Sequence, residues 1–255
     1  MSIISAMELR PIEFIVWEQL HALRWTLALA ESCSGGLVSH RLTNVPGASQ
    51  VFLGGVVAYS NAAKVHLLGV SEATLEQFGA VSGQTVSEMA MGAQKRFGAQ
   101  TAIAVSGVAG PGGGSPQKPV GTVWIGVAIA DTVTPHEFRF CGTREQIKQQ
   151  SAEAALWLLG ERLLSAAGDT AARLRLGAYR PVAVEFSGEG VDSLRIRSLY
   201  WRGQRVGIES VGRRWEDARG SHFLALSSQG KVYELLRRAD GCWFLRLPGE
   251  ALEFA

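Results

Sequence analysis

The sequence predicts a layered α/β domain followed by a small, mainly antiparallel β domain, and three observations carry that expectation. Through about residue 166, short apolar runs alternate with segments of helical period, the pattern of strands covered by helices. Beyond residue 178, six short runs follow one another between turn residues, with no helical stretch among them. Hydrophobic residues fill 47% of the 255 positions and charged residues 19%, enough apolar side chain for a substantial core and too little charge for a disordered chain.

Taken in order, residues 11–24 place Ile12, Ile15, Val16, Gln19, Leu20 and Leu23 at helical spacing behind Pro11, a residue suited to a first turn. Residues 25–30 form an apolar run that ends in Glu31-Ser32-Cys33-Ser34-Gly35-Gly36, and Leu37, Val38 and Leu42 then resume a helical period. Strand, tight turn, helix is the simplest reading. Residues 51–59 read as a buried strand whose Gly54-Gly55 lets another backbone come close, and Asn61 is expected to cap a short helix closed by Gly69. Ser71 and Ser82 mark further helix starts, and the helix after Ser82 carries Val86, Met89, Ala90 and Ala93 on one face before stopping at Gly98.

Residues 101–105 are another buried strand. The stretch 106–119, SGVAGPGGGSPQKP, is too rich in Gly and Pro for regular structure, and a loop this long inside a compact domain usually serves function. A hairpin of residues 121–130 and 136–141 follows, and Thr143 with Gln146 makes a capping box opening a helix to about Ala166. The expected division is therefore a first domain over 1–168, a linker over 169–178 and a β-rich domain over 179–255. In the last, the runs are 182–186, 194–201, 204–211, 222–226, 232–236 and 243–247, joined in part by tight turns at Arg202-Gly203 and Gln229-Gly230 into a sheet or partly open barrel.

Charge excludes some functions. Basic and acidic residues number 13 each through Arg175 and 12 against 10 beyond it, so neither half demands nucleic acid. Arg195, Arg197, Arg202, Arg205, Arg213, Arg214 and Arg219 crowd together, first a solvated face and second a phosphate-binding patch. Trp201, Trp215, Phe223, Tyr233 and Trp243 alternate with them, as a core for a small domain or as a stacking groove, so nucleic acid is admitted only through this domain. Cys33, Cys141 and Cys242 are an odd number at wide spacing, fitting a reducing compartment. Glu8, Arg10, Glu13 and Glu18 interrupt the N-terminal apolar residues, and no run approaches a membrane span, so a cytoplasmic protein without membrane contact is expected. His21, His40, His66, His136 and His222 are scattered without metal-ligand spacing, and neither a Walker loop nor a GxGxxG order is present; no metal and no cofactor are expected.

The chemistry-bearing residues gather at strand ends. Ser32 follows a buried strand and precedes a helix whose first-turn N–H groups are candidates to stabilise an oxyanion, while Gly35 and Gly36 permit close approach. Ser32 or Ser34 acting merely as a helix cap is the competing reading. Tyr59-Ser60-Asn61-Ala62-Ala63-Lys64 at the end of the second strand returns a phenol and a lysine to the same sheet edge, and serine with lysine is a hydrolase pair. As general base Lys64 must be neutral, which takes burial or a nearby cation; an ordinary exposed lysine is the alternative. Ser106, Gly107, Gly110, Gly112 and Gly113 follow a third buried strand, in a loop suited to a phosphate or ribose. Cys33, beside Ser32, reads as a packing residue before a nucleophile.

Four motifs, ESCSGG at 31–36, AYSNAAK at 58–64, GAVS at 79–82 and SGVAGPGGGSPQKPVGTV at 106–123, resemble the CinA C-terminal domain family, of the PncC nicotinamide-nucleotide amidohydrolase type, collinearly over about residues 10–165. The resemblance implies an α/β domain, usually oligomeric, that hydrolyses the carboxamide of nicotinamide mononucleotide to nicotinic acid mononucleotide and ammonia in pyridine-nucleotide recycling. It implies Ser32 as nucleophile, Lys64 as base and Tyr59 as an orienting or binding group. Ser34, Gly35, Gly36, Asn61, Ser106 and the Gly-rich loop would hold the nucleotide, with Arg144 reaching its phosphate. Ser34 stands where the motif usually has Thr, and Gly83 where an acidic residue often follows GAVS. Longer members put a molybdopterin-binding-like domain with pyrophosphatase activity first; about ten residues precede the opening helix here, and that activity is expected to be absent. Residues from about 178 are similar to small β modules behind some bacterial DNA-repair proteins, which implies no function. The competing function is a nucleotide-binding regulatory protein without turnover, linked to competence or DNA damage, its tail an interaction module.

Overall fold

Along the buried strands of the first half, large and small side chains alternate, and that alternation builds the layers. A computed structural model describes residues 11–168, 179–188, 193–201 and 204–246. Strands β1 (Leu27–Glu31), β2 (Phe52–Val57), β3 (Thr101–Gly107), β4 (Thr122–Ile129) and β5 (Thr132–Arg139) form one sheet in the order β2-β1-β3-β4-β5. β1 is parallel to β2 and β3, whereas β3, β4 and β5 are mutually antiparallel neighbours. Because side chains alternate across a strand, Leu27, Leu29, Ile103, Val105, Ile125 and Val127 enter one core and Ala28, Ala30, Ala102, Ala104 and Ala128 the other.

The large-residue face takes α1 (Ile12–Leu23), α2 (Leu37–Thr43) and α6 (Arg144–Ala166), whose Val16, Leu20, Leu42, Leu156 and Leu159 are buried against it. Each such side chain contributes about 1.5–3 kcal/mol on burial. The alanine face takes α5 (Gly83–Phe97), joined by α3 (Asn61–Leu68), with α4 (Glu72–Phe78) before it. Small residues let α5 sit close: a Cβ on Gly126 would stand 2.8 Å from the Val86 carbonyl oxygen, nearer than packing allows.

The second sheet contains β6 (Arg180–Pro181), β7 (Ala183–Ser187), β8 (Arg195–Trp201), β9 (Gln204–Asp217), β10 (Gly220–Ser227), β11 (Val232–Arg237) and β12 (Trp243–Arg246) in the order β6-β12-β11-β10-β9-β8-β7. Its paired strands are antiparallel throughout. The two edge strands are separated in sequence only by Val182, whose N–H donates to the Trp243 carbonyl, so the sheet curls back on itself. Register shifts at Phe223/Ala225 and Leu226/Ser227 bend the long β9, which pairs with both β8 and β10. The fold is the expected α/β layer with a small antiparallel β unit behind it.

Several local expectations change. Asn61 is not a cap: Ser60 is extended and its hydroxyl accepts from the Ala63 N–H, because the chain turns helical one residue earlier. Ser71 precedes a helix but makes no side-chain cap bond; Glu88 receives its N–H instead. β3 runs through Ser106 and Gly107, and β5 begins at Thr132. Thr143 and Gln146 form the expected capping box, and Gly230 makes its turn to Ser227. The linker 169–178, Arg202-Gly203 and Leu247 lie outside the described residues. Phe223, Tyr233 and Trp243 are buried in the core of the second sheet, Trp201 packs partly buried against it, and Trp215 stacks on the His222 ring at 4.8 Å.

Candidate functional site

Parallel pairing of β1 with β2 and β3 brings three strand ends to one edge. Glu31 stands opposite Val57 and Val105, so Ser32, Ala58 and Ser106 follow side by side. The Ser32 N–H donates to Val105 O and the Ala58 N–H to Glu31 O, which fixes the edge. Gly69 closes α3 in a left-handed conformation, and this short helix turns Lys64 back beneath the edge.

Lys64 Nζ lies 3.0 Å from Ser32 Oγ, 2.9 Å from Ala58 O and 3.5 Å from Tyr59 O. Lys64 is 1% exposed and Ser32 8%. Burial lowers the Lys64 pKa from its ordinary value, against a small opposing influence of Cys33. Lys64 Nζ is the donor in all three contacts; a neutral amine, the form a base requires, would keep two N–H donors and one lone pair.

The turn after β1 depends on Glu31, a residue that sequence reasoning did not single out. Its buried carboxylate accepts from the N–H groups of Gly36 (3.0 Å), Val38 (3.1 Å) and Ser39 (2.8 Å) and from the Ser39 hydroxyl (2.6 Å). Gly35 and Gly36, at φ 64° and 91°, fold the chain back far enough for this. The first turn of α2 is therefore occupied, which corrects the expectation that its N–H groups are free for an oxyanion. The Cys33 and Ser34 N–H groups donate to no oxygen among the described residues. Ser34 is fully buried and its hydroxyl has no hydrogen-bond partner there.

Tyr59 is 61% exposed, and its phenol oxygen accepts from Arg144 Nη2 at 2.7 Å. Arg144 Nη1 donates to Gly110 O at 2.6 Å, so this arginine ties the second strand's end to the Gly-rich loop. Ser106 is buried and donates to Ala80 O at 2.7 Å, and Lys118 Nζ donates to Phe78 O at 2.6 Å; both clamp the loop to the GAVS segment. Gly107 lies against Thr122 O, Gly110 is left-handed beside Val120, Gly113 is left-handed, and Gly112 borders open space. Asn61 is exposed, and its side chain makes no hydrogen bond to Ser32 or Lys64 among the described residues.

A second overlooked residue is Lys148, one helical turn beyond Arg144 and thus on the same face of α6. A Cβ on Gly35 would stand 3.8 Å from its Nζ, which places the ammonium beside the ESCSGG turn. The four-residue spacing was visible in the sequence, but the packing of α6 against that turn was not. Among the described residues, no three His, Cys, Asp or Glu side chains gather to hold a metal ion, and no helix is long and apolar enough to cross a membrane.

Comparisons with known proteins match the residues of the first sheet and its helices. The nicotinamide-nucleotide amidohydrolase PncC of Enterobacter agglomerans is 48% identical over 153 residues, covering 60% of this chain and 93% of that protein. A CinA-like protein of Thermotoga maritima is 50% identical over 145 residues, covering 57% of this chain and 35% of that protein. Of the other curated relatives, those of Moorella thermoacetica and Fervidobacterium nodosum are longer, and this chain spans 37% and 40% of their lengths. A CinA-superfamily crystal structure from Klebsiella pneumoniae has a TM-score of 0.59 at 36% identity, covering 60% of this chain and 96% of that one. The competence/damage-inducible protein structure from Agrobacterium tumefaciens has 0.57 at 41%, covering 59% and 94%. The model of the CinA C-terminal domain matches residues 10–163, the whole sheet that carries Ser32 and Lys64, and the chain belongs to that family.

Proposed function

We propose that the chain hydrolyses the carboxamide of nicotinamide mononucleotide to nicotinic acid mononucleotide and ammonia, as a step of pyridine-nucleotide recycling. The observation that carries the reading is the buried amine of Lys64 at 3.0 Å from Ser32 Oγ. Likeness to a nicotinamide-nucleotide amidohydrolase over the same residues supports the choice of substrate.

Ser32 Oγ attacks the carboxamide carbon while Lys64 takes its proton, forming the C–O bond and a tetrahedral oxyanion. The backbone N–H groups of Cys33 and Ser34, which donate to no carbonyl among the described residues, are the donors for that oxygen. As the C–N bond breaks, Lys64 returns the proton to the departing nitrogen, and ammonia leaves. Water, deprotonated by Lys64, then attacks the acyl-enzyme and releases the carboxylate product and Ser32. Arg144 is committed to Gly110 and Tyr59, so it holds the walls of the site, while Lys148 is the cation left for the substrate phosphate.

Ammonia release from nicotinamide mononucleotide by the purified chain, beside Ser32→Ala and Lys64→Met, tests this. Activity in the parent and loss of about 10⁴-fold or more in each variant is expected, since the two act as a unit. A folded parent that binds the nucleotide and releases no ammonia overturns the reaction and leaves a nucleotide-binding regulator.

A further inference from the structure

The start of α6 borders a second cavity, away from Ser32, on the seam between the two sheets. This cleft of about 810 Å³ is lined by Thr143 and Gln146 from the helix start and by Glu185, Phe186, Arg197 and Arg237 from the β unit, among others. Its volume falls in the range of small-molecule sites, roughly 300–1,000 Å³.

The charges in its wall are unequal. Arg197 is exposed and has no carboxylate partner among the described residues. Arg237 lies over the Phe186 ring at 5.3 Å and the Trp243 ring at 5.9 Å, which fixes a guanidinium in the wall without neutralising it. Glu185 is the carboxylate in the lining, and it is already satisfied: Arg205 donates through Nε (3.2 Å) and Nη2 (2.6 Å), Ser198 Oγ at 2.5 Å and Tyr200 OH at 3.1 Å. Among the described residues, two cations without a carboxylate partner therefore face the cleft, beside one aromatic ring.

The geometry points to a second binding site in this cleft for a nucleotide-class anion, its phosphate between Arg197 and Arg237 and its ring toward Phe186. Guanidinium forks suit phosphate oxygens in pairs, and the apolar ring gives a base or similar planar group a surface to cover. The helix that supplies Thr143 and Gln146 carries Arg144 between them, the residue that grips Tyr59 and Gly110. A ligand in the cleft therefore touches the foot of the strut that closes the candidate active site. This coupling rests on the proposed deamidation; the binding itself does not.

Calorimetric titration of the full chain with AMP and with adenosine, in parent and Arg197→Glu, tests the site. AMP is expected to bind the parent at least tenfold tighter than adenosine, and Arg197→Glu to lose at least tenfold in AMP affinity while keeping the parent's turnover of nicotinamide mononucleotide without AMP. Equal binding of AMP and adenosine, or unchanged AMP affinity in Arg197→Glu, overturns the site. Both readouts stand without turnover, so a parent that fails to deamidate leaves this result interpretable.

Discussion

Replacing Glu31 by Gln changes one oxygen to an NH2 and almost nothing in shape, and its consequence follows from counting donors. Each carboxylate oxygen takes two: Gly36 and Val38 N–H on Oε2, the Ser39 N–H and hydroxyl on Oε1. In the better of the two amide orientations, the remaining oxygen keeps Gly36 and Val38, and the Ser39 hydroxyl rotates to accept from the new NH2. The Ser39 N–H is then left facing another donor. One orphaned N–H costs about 1–3 kcal/mol, and three bonds weakened from charged to neutral add about 0.5 kcal/mol each, so the loss is roughly 2.5–4.5 kcal/mol. Ser39→Ala, which removes the hydroxyl alone, should lose only about 1 kcal/mol.

Urea denaturation at neutral pH reads both values, with an unchanged denaturant slope as the sign that stability alone has moved. Glu31→Gln should also depress turnover where the protein remains folded, because the same carboxylate sets the turn presenting Ser32; about 1.4 kcal/mol of lost transition-state stabilisation is tenfold. A Glu31→Gln protein within about 0.5 kcal/mol of the parent would refute the claim that this carboxylate organises the start of α2.

Burial holds the Lys64 amine below its ordinary pKa, so between the lowered and the ordinary value the unfolded chain binds more protons than the folded one. The cost of the buried charge is complete below that window and disappears above it: stability should rise with pH across the window in the parent, and Lys64→Met should flatten that slope in melts taken over a pH series. Deamidation by the parent should rise as pH passes the lowered pKa, where the base becomes neutral. Glu153, 2% exposed, bridges Arg41 and Arg238, each at 2.7 Å. Glu153→Gln should cost about 1–3 kcal/mol, because Arg41 keeps Glu13 and Arg238 keeps Asp240, each at 2.6 Å, and urea unfolding should then lose cooperativity between the two sheets.

How much of this was legible depended on whether a feature was local. The strand ends bearing Ser32, Tyr59 and Ser106 were visible because apolar runs stop there, and the capping pair Thr143–Gln146 because its spacing is fixed by one helical turn. The six tail runs were visible because turn residues bound them, although the two-residue β6 was too short to stand out. Glu31 was missed because its partners lie five to eight residues ahead and meet it only once two left-handed glycines reverse the chain. The arginine cluster looked uniform in sequence, yet strand register sorts it: Arg205 meets Glu185, Arg219 meets Asp217, Arg214 meets the Leu194 carbonyl, and Arg197 meets no carboxylate among the described residues. Pairing across strands is set by which residues stand opposite, and no window of sequence contains both sides.

The same distinction decides between two adjacent nucleophiles. Cys33 is intrinsically the better one, and the sequence, which favours it as a packing residue, still leaves it beside Ser32 at the strand end. Folding separates them, because the turn sends successive side chains in different directions: Ser32 toward Lys64, Cys33 into the large-residue core. There, burial raises the Cys33 thiol to about 12, outweighing the backbone N–H groups and the Lys64 charge that act the other way. A thiol so placed supplies no thiolate at neutral pH and has no base aimed at it. Ser32, the poorer nucleophile, faces an amine whose protonated form is penalised by the same burial. Desolvation thus disfavours the thiolate of Cys33 and the ammonium of Lys64 alike, and the proposed assignment of the nucleophile to Ser32 rests on that opposition together with the 3.0 Å contact to Lys64 Nζ.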